Sequence, residues 1–234
     1  MILPADFLDD ILVPIHPAGW PFIAAFAGIA VLLAVIAQPL GWIGAAATVW
    51  CVFFFRNPER VTPNRSGLIV SPADGIVKWV GPAAPPPELE LGAAPRERVS
   101  IFMNVFDVHV NRIPLGGTIT RLVYHPGRFF NASLDKASEH NERHGAVITA
   151  PDGSEVGVVQ IAGLVARRIV CWLNRGDDVR TGQRFGMIRF GSRVDVYLPP
   201  GVPALVAVGQ RMMAGETVIA DLNSDEPARS GERR

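Results

Sequence analysis

The bond between Gly191 and Ser192, inside "RFGMIRFGSRVDVYLP" (184–199), is where this chain could do unusual chemistry. Glycine weakens a strand interior and admits backbone conformations barred to other residues. A serine hydroxyl set against the preceding carbonyl can attack it and turn the peptide into an ester. A base must take the hydroxyl proton, and nearby donors must hold the oxyanion. β-Elimination of the ester leaves a dehydroalanine. Hydrolysis then gives a pyruvoyl group at a new N-terminus and releases ammonia. The product is an electrophilic ketone made from the chain itself. A Gly-Ser pair alone is common, so its setting decides.

Such a bond needs a rigid frame, and the residues after Pro63 read as one. Short β-rich runs alternate with turns: "GLIVSPADGIVKWVG", "VSIFMNVFDVHVNRI", "GTITRLVYH", "GAVITAPDGSEVGVVQIAG", "RRIVCWL", "FGMIRFGSRVDVYLP" and "ALVAVGQRMMAGETVIADL". Asp74-Gly75 and Asp152-Gly153 are hairpin signals. The expected fold is mainly β (α+β): a compact antiparallel sandwich or barrel-like domain over 61–222, behind an N-terminal apolar helical hairpin. "PAAPPPELELGAAP" (82–95) reads as an exposed loop and the polar "NASLDKASEHNERHG" (131–145) as another. The polar tail, 223–234, reads as disordered.

Residues 1–60 form the other part. No charge occurs from Trp20 to Phe55, where apolar runs Pro21–Ala37 and Leu40–Phe55 flank Gln38-Pro39. Each run is at or just below the length that spans a bilayer. A hairpin that enters and returns is as consistent with this as two spans. Asp6, Asp9 and Asp10 precede the runs, unlike the basic start of a secretory leader. Arg56, Arg60 and Arg65 follow them, which places the rest of the chain on the cytoplasmic face of a cell membrane. The net charge of zero gives no reason to expect nucleic acid. Cys51 and Cys171 show no metal spacing and read as reduced, buried hydrophobes.

"RFGMIRFGSRVDVYLP" closely resembles the self-cleavage segment of phosphatidylserine decarboxylases in their short, bacterial and archaeal-type form. "FFRNPERVTP", "IVSPADGIV", "MNVFDVHVNRIP", "GGTI", "YHPGRFFNASLDKASEHNER", "VVQIAGLVARRIVC" and "GQRFGMI" resemble that family in the same order, over about residues 50–220. The resemblance implies a proenzyme split into chains 1–191 and 192–234, with Ser192 becoming the pyruvoyl group. The ketone would form a Schiff base with the amine of phosphatidylserine, carbon dioxide would leave, and phosphatidylethanolamine would be freed. Neither metal nor pyridoxal phosphate is implied. The substrate is lipid in a membrane, and a homo-oligomer of the two-chain unit is left open.

The family's Asp-His-Ser relay points to Asp74 and His109 beside Ser192. Asp74 of "SPADG" is equally readable as a turn residue before Gly75. His109 lies in "FDVHVNRIP", an apolar-alternating run where a lone histidine is ordinarily a core residue. Long-form members carry a second histidine three positions on, where this chain has Arg112. Whether His109 serves self-cleavage, decarboxylation or both therefore stays open. Arg112 could bind the substrate's carboxylate or phosphate, or form a surface ion pair. His125 of "YHPGRF" could line a headgroup pocket or cap a turn. His144 reads as a solvent-exposed loop residue. Asn141 and Glu142 match the family pattern without an assigned role. Arg189 and Arg193 flank the scissile bond, and Arg193 could meet phosphate or solvent.

Other readings of the chain make different demands. An ether-lipid substrate of archaeal type would leave the headgroup chemistry unchanged. A membrane-anchored lipoyl-like adaptor needs a hairpin-tip lysine, but the only lysines are Lys78 and Lys136. A serine hydrolase needs a G-x-S-x-G elbow, which is missing around Ser192.

Overall fold

The computed structural model describes residues 13–127, 141–163, 169–189 and 192–232. The chain divides into two compact units, Met1–Glu59 and Arg60–Arg234.

In the first unit, α1 (Trp20–Ile36) and α2 (Gln38–Phe54) are separated by Ala37 alone, in an extended conformation. The break comes one residue before the expected Gln38-Pro39. Pro39 sits in the first turn of α2, where a missing N–H costs no hydrogen bond. Small residues let the helices touch. A Cβ on Gly44 would lie 2.6 Å from Ala30 Cα, and one on Gly41 2.5 Å from Ala34 Cβ. The Phe22 and Phe55 rings stack, 5.4 Å between centroids. Pro17–Ile36 is long and apolar enough to cross a membrane, whereas Gln38–Phe54 is shorter. Val31, Leu32, Val35, Ile36, Trp42 and Ile43 are exposed.

The second unit is built of strands, with one short 3-10 helix at Pro87–Leu89 among the described residues. Its strands are β1 (Leu68–Val70), β2 (Gly75–Ala83), β3 (Arg96–Met103), β4 (Val110–Arg112), β5 (Gly117–His125), β6 (Arg143–Thr149) and β7 (Glu155–Ala162). They continue as β8 (Ile169–Cys171), β9 (Asp178–Val179), β10 (Arg184–Ile188), β11 (Ser192–Tyr197), β12 (Arg211–Met212) and β13 (Val218–Asp221). An eight-stranded sheet, curled into a half-barrel, runs β12-β2-β3-β11-β7-β6-β5-β9. Beside it are a three-stranded sheet, β4-β10-β8, and the pair β1-β13. Every pairing among the described residues is antiparallel, as expected for hairpin-linked short strands. The main core lies against the inner face and includes Ile101, Met103, Ala162, Val194 and Val196.

Several expectations change. "RFGMIRFGSRVDVYLP" is not one strand. It is β10 and β11, which belong to different sheets. "VSIFMNVFDVHVNRI" likewise breaks into β3 and β4, because Asn104 caps a tight turn: its Oδ1 accepts from the Phe106 N–H at 2.8 Å. Asp74-Gly75 is no hairpin, since β1 pairs with β13 and β2 with β3 and β12. Gly75 instead opens β2 at φ +147, where a Cβ would lie 2.2 Å from the Phe102 carbonyl oxygen. Asp152-Gly153 does turn β6 into β7, with Gly153 at φ +86.

Residues 82–95 are not simply exposed. Leu89 and Leu91 are buried with Val147, Val159, Ile161 and Tyr197 in a second cluster. They fill the space that Gly145 and Gly157 leave by lacking a side chain. Most of 131–145 lies outside the described residues, but Arg143–Gly145 begin β6 and are not loop. Residues 224–232 hold no helix or strand. Arg229 ties them down by donating to the carbonyls of Ala204 and Leu205.

Candidate active site

Ser192 is the first residue of β11, a central strand. It sits between Met103 of β3 and Ala162 of β7 and is fully buried. Side chains alternate along a strand, so Ser192 shares the inner face with Val194 and Val196. Its Oγ has no hydrogen-bond partner among the described residues. A buried hydroxyl without a partner costs about 1–3 kcal/mol. Such a group is where a reaction, not packing, explains the residue. Gly191, the residue before it, lies outside the described residues.

His109 directly precedes β4 and is fully buried, in the coil after the Asn104 turn and not within a strand. Its Nδ1 lies 2.9 Å from the Asp107 carbonyl oxygen. A carbonyl only accepts, so Nδ1 carries the proton and Nε2 of the neutral ring carries the lone pair. That tautomer suits a base. Its backbone carbonyl accepts from the Ile188 N–H, joining His109 to the end of β10 four residues before Ser192. The turn is braced in turn. The Asp107 carboxylate accepts from the Asn104 N–H at 2.9 Å and from the Arg211 guanidinium.

Asp74 lies just ahead of β2. Its carboxylate accepts from Arg60 at 2.8 Å and from the Ala214 N–H at 2.8 Å. β2 adjoins β3, which adjoins β11, so Asp74 stands two strands from Ser192. Arg112 is buried in β4, not on the surface, and donates to the Gly182 carbonyl at 2.8 Å. His125 is exposed at the end of β5 and is separated from β11 by β6 and β7. It is not gathered with Ser192.

Arg193 meets neither solvent nor the inner face. Alternation turns it outward, where it is buried against Asp195 at 2.9 Å. His144 is not on an exposed loop. It is half-buried in β6, directly opposite Gln160, and burial pushes its imidazole pKa below the ordinary value.

Four polar residues complete the surroundings, and the sequence reading left them without a role. Gln160 donates from Nε2 to Asn111 Oδ1 at 2.8 Å, both side chains being fully buried. Asn141 donates to the Ala162 carbonyl at 2.7 Å, and Ala162 N–H donates to the Glu142 carbonyl at 2.9 Å. Glu142 Oε1 also accepts from the Ile169 N–H at 3.3 Å. Asn141 and Glu142 thus fix the strand residue that pairs with Ser192. A lone Gln inside the apolar run "VVQIAG" was the signal available for Gln160.

A buried serine at the start of β11 and a buried histidine whose carbonyl is tied to the end of β10 do not distinguish an enzyme from an inert core. Comparison with known proteins does. The family model described as phosphatidylserine decarboxylase matches residues 47–220. The chain belongs to the phosphatidylserine decarboxylase family. Among its relatives, the phosphatidylserine decarboxylase proenzyme of Cereibacter sphaeroides is 59% identical over 98% of this chain and 99% of its own length. The protein of the same name from Paramagnetospirillum magneticum is 61% identical over 94% and 92%, and that of Ruegeria pomeroyi 59% over 92% and 98%. The phosphatidylserine decarboxylase match thus spans the whole β unit up to β13, including both strands that flank the Gly191-Ser192 bond.

Proposed function

We propose that this chain is a self-processing, pyruvoyl-dependent phosphatidylserine decarboxylase, cleaved between Gly191 and Ser192 into chains 1–191 and 192–234. As a member of its family it is a carboxy-lyase of phospholipid synthesis, forming phosphatidylethanolamine and carbon dioxide. The observation that carries the mechanism is the fully buried, unpartnered Ser192 hydroxyl at the junction of two sheets.

Self-cleavage uses the chain's own groups. His109 Nε2 takes the Ser192 hydroxyl proton as Oγ adds to the carbonyl carbon of residue 191. The C–N bond then breaks, the proton passes to the departing nitrogen, and an ester joins 191 to the Ser192 oxygen. Removal of the Cα proton of residue 192 expels that oxygen with residue 191 as a carboxylate. Water adds to the remaining enamine after it tautomerises, and ammonia leaves. Burial strengthens each of these charge interactions by excluding water. Asp74 completes the relay. What supports this is its buried place at the head of β2, held by Arg60 and the Ala214 amide.

The site fits the group so formed, because the Ser192 hydroxyl is buried with no partner for its hydrogen among the described residues, so a group without that hydrogen forfeits no bond there. The pyruvoyl group supplies an electrophilic ketone that captures an amine and accepts the electrons left when carbon dioxide departs. The apolar helices α1 and α2 hold the protein to the membrane through residues 20–55, with the β unit on the cytoplasmic face. Exposed Val31, Leu32, Val35 and Ile36 support this.

Ser192→Ala tests the reading. The variant is expected to run as one full-length, inactive chain on a denaturing gel. A processed and active alanine variant would overturn it.

A further inference from the structure

Three buried polar atoms lack hydrogen-bond partners among the described residues and share one face of the sheet: Ser192 Oγ, Gln160 Oε1 and His144 Nδ1. Register puts them together. Gln160 is opposite His144 on one side and Val194 on the other, while Ser192 is opposite Ala162. Directly opposed residues have Cβ atoms about 5 Å apart, and diagonal neighbours such as Gln160 and Ser192 stand about 7–8 Å apart. A line therefore runs from β6 through β7 to the scissile serine.

The orientation of the Gln160 amide follows from its surroundings. Asn111 faces the Pro72 carbonyl at 3.4 Å and the Met103 sulfur at 3.7 Å, both acceptors, so it turns Nδ2 toward them. Its Oδ1 then faces Gln160 and takes the Nε2 donor. Gln160 Oε1 is left as the open acceptor. Before cleavage residue 192 carries a hydroxyl, which can donate. After cleavage it carries only acceptors. Two acceptors on adjacent strands of one buried face call for a donor from a ligand.

We infer that Gln160 and His144 form the headgroup-recognition site, Gln160 Oε1 accepting an N–H of the substrate's amine and His144 donating from Nδ1 to the adjacent carboxylate. This rests on the function proposed above. A serine headgroup bears an amine and a carboxylate on one carbon, which one acceptor and one donor on neighbouring strands match. The decarboxylated product lacks the carboxylate and so loses the His144 contact. The site thereby prefers substrate over product. Burial, which holds the His144 ring neutral, keeps it from acting as a fixed cation.

The test is capture of a soluble headgroup on the small chain, read as adduct mass. Mature protein is incubated with glycerophosphoserine or glycerophosphoethanolamine and cyanoborohydride, which reduces the condensed ketone and amine to a secondary amine with loss of water. Wild type is expected to capture the serine compound in preference. Gln160→Met is expected to self-cleave but to capture both compounds about tenfold less, the worth of one hydrogen bond. His144→Phe is expected to capture both about equally. Gln160→Glu and His144→Gln, which keep an acceptor and a donor, are expected to retain capture and preference. Wild-type capture by Gln160→Met, or a preserved preference in His144→Phe, overturns the assignment. Failure of Gln160→Met to self-cleave also overturns it, by giving Gln160 to processing. If either of the first two variants folds poorly, loss of capture in self-cleaved Gln160→Glu, or of preference in His144→Gln, overturns it. An uncleaved wild type would instead contradict the proposed function.

Discussion

Ser192 and His109 are both fully buried, and neither has a packing reason to be polar. At His109 the Nδ1–H given to the Asp107 carbonyl leaves Nε2 as the atom that takes the serine proton in the proposed self-cleavage. His109→Gln is expected to slow self-cleavage by about 10²–10⁴-fold, measured as the fraction of split chain over time. Asp107 acts through that ring. Asp107→Asn weakens the Arg211 contact and loosens the turn, and is expected to slow cleavage less than His109→Gln does. Ser192 was singled out in the sequence by a Gly-Ser pair inside an apolar run together with the family resemblance of its surroundings. Arg211 and Asp107 were not, since they stand 104 positions apart and only the fold brings them together. Arg193 was misread for a different reason: alternation was clear, but the second cluster that makes its outward face an interior was not.

Among the elements, the break between β10 and β11 matters most. One apolar run holds two strands of two sheets, so the bond proposed to break lies between the end of β10 and the start of β11. Periodicity showed β structure on both sides of it but could not show the change of sheet. Strands such as β5, Gly117–His125, were readable to the residue. The Pro-rich 82–95 stretch was misjudged by composition, because its two leucines pack against glycines that lie far along the chain. Leu89→Ala is expected to cost about 2–5 kcal/mol in urea unfolding, as for other buried leucines. Gly75→Ala is expected to destabilise the unit by more than about 1 kcal/mol, since its φ and the Phe102 carbonyl both exclude a Cβ. In β6, burial lowers the His144 pKa below 6.5. The folded state then binds fewer protons than the unfolded chain, so this contribution is present above pH 6.5 and is lost as pH falls below it. His144→Phe is expected to flatten the loss of stability between about pH 7 and pH 5, measured by urea unfolding at each pH.

At the scale of the whole molecule, the two units carry separate tasks. The helical unit exposes apolar side chains that water does not favour, and the β unit buries Ser192. Deleting residues 1–59 is expected to leave self-cleavage intact while abolishing sedimentation with phospholipid vesicles. The charge-free stretch from Trp20 to Phe55 is the sequence signal for the helical unit. The central claim is that the chain makes its own carbonyl by breaking itself. The intact mass of the purified wild-type protein tests this directly. Two masses are expected, those of chains 1–191 and 192–234, the smaller lighter by one ammonia than a chain that begins with serine. A single mass for the continuous chain, in a preparation that decarboxylates phosphatidylserine, would contradict it.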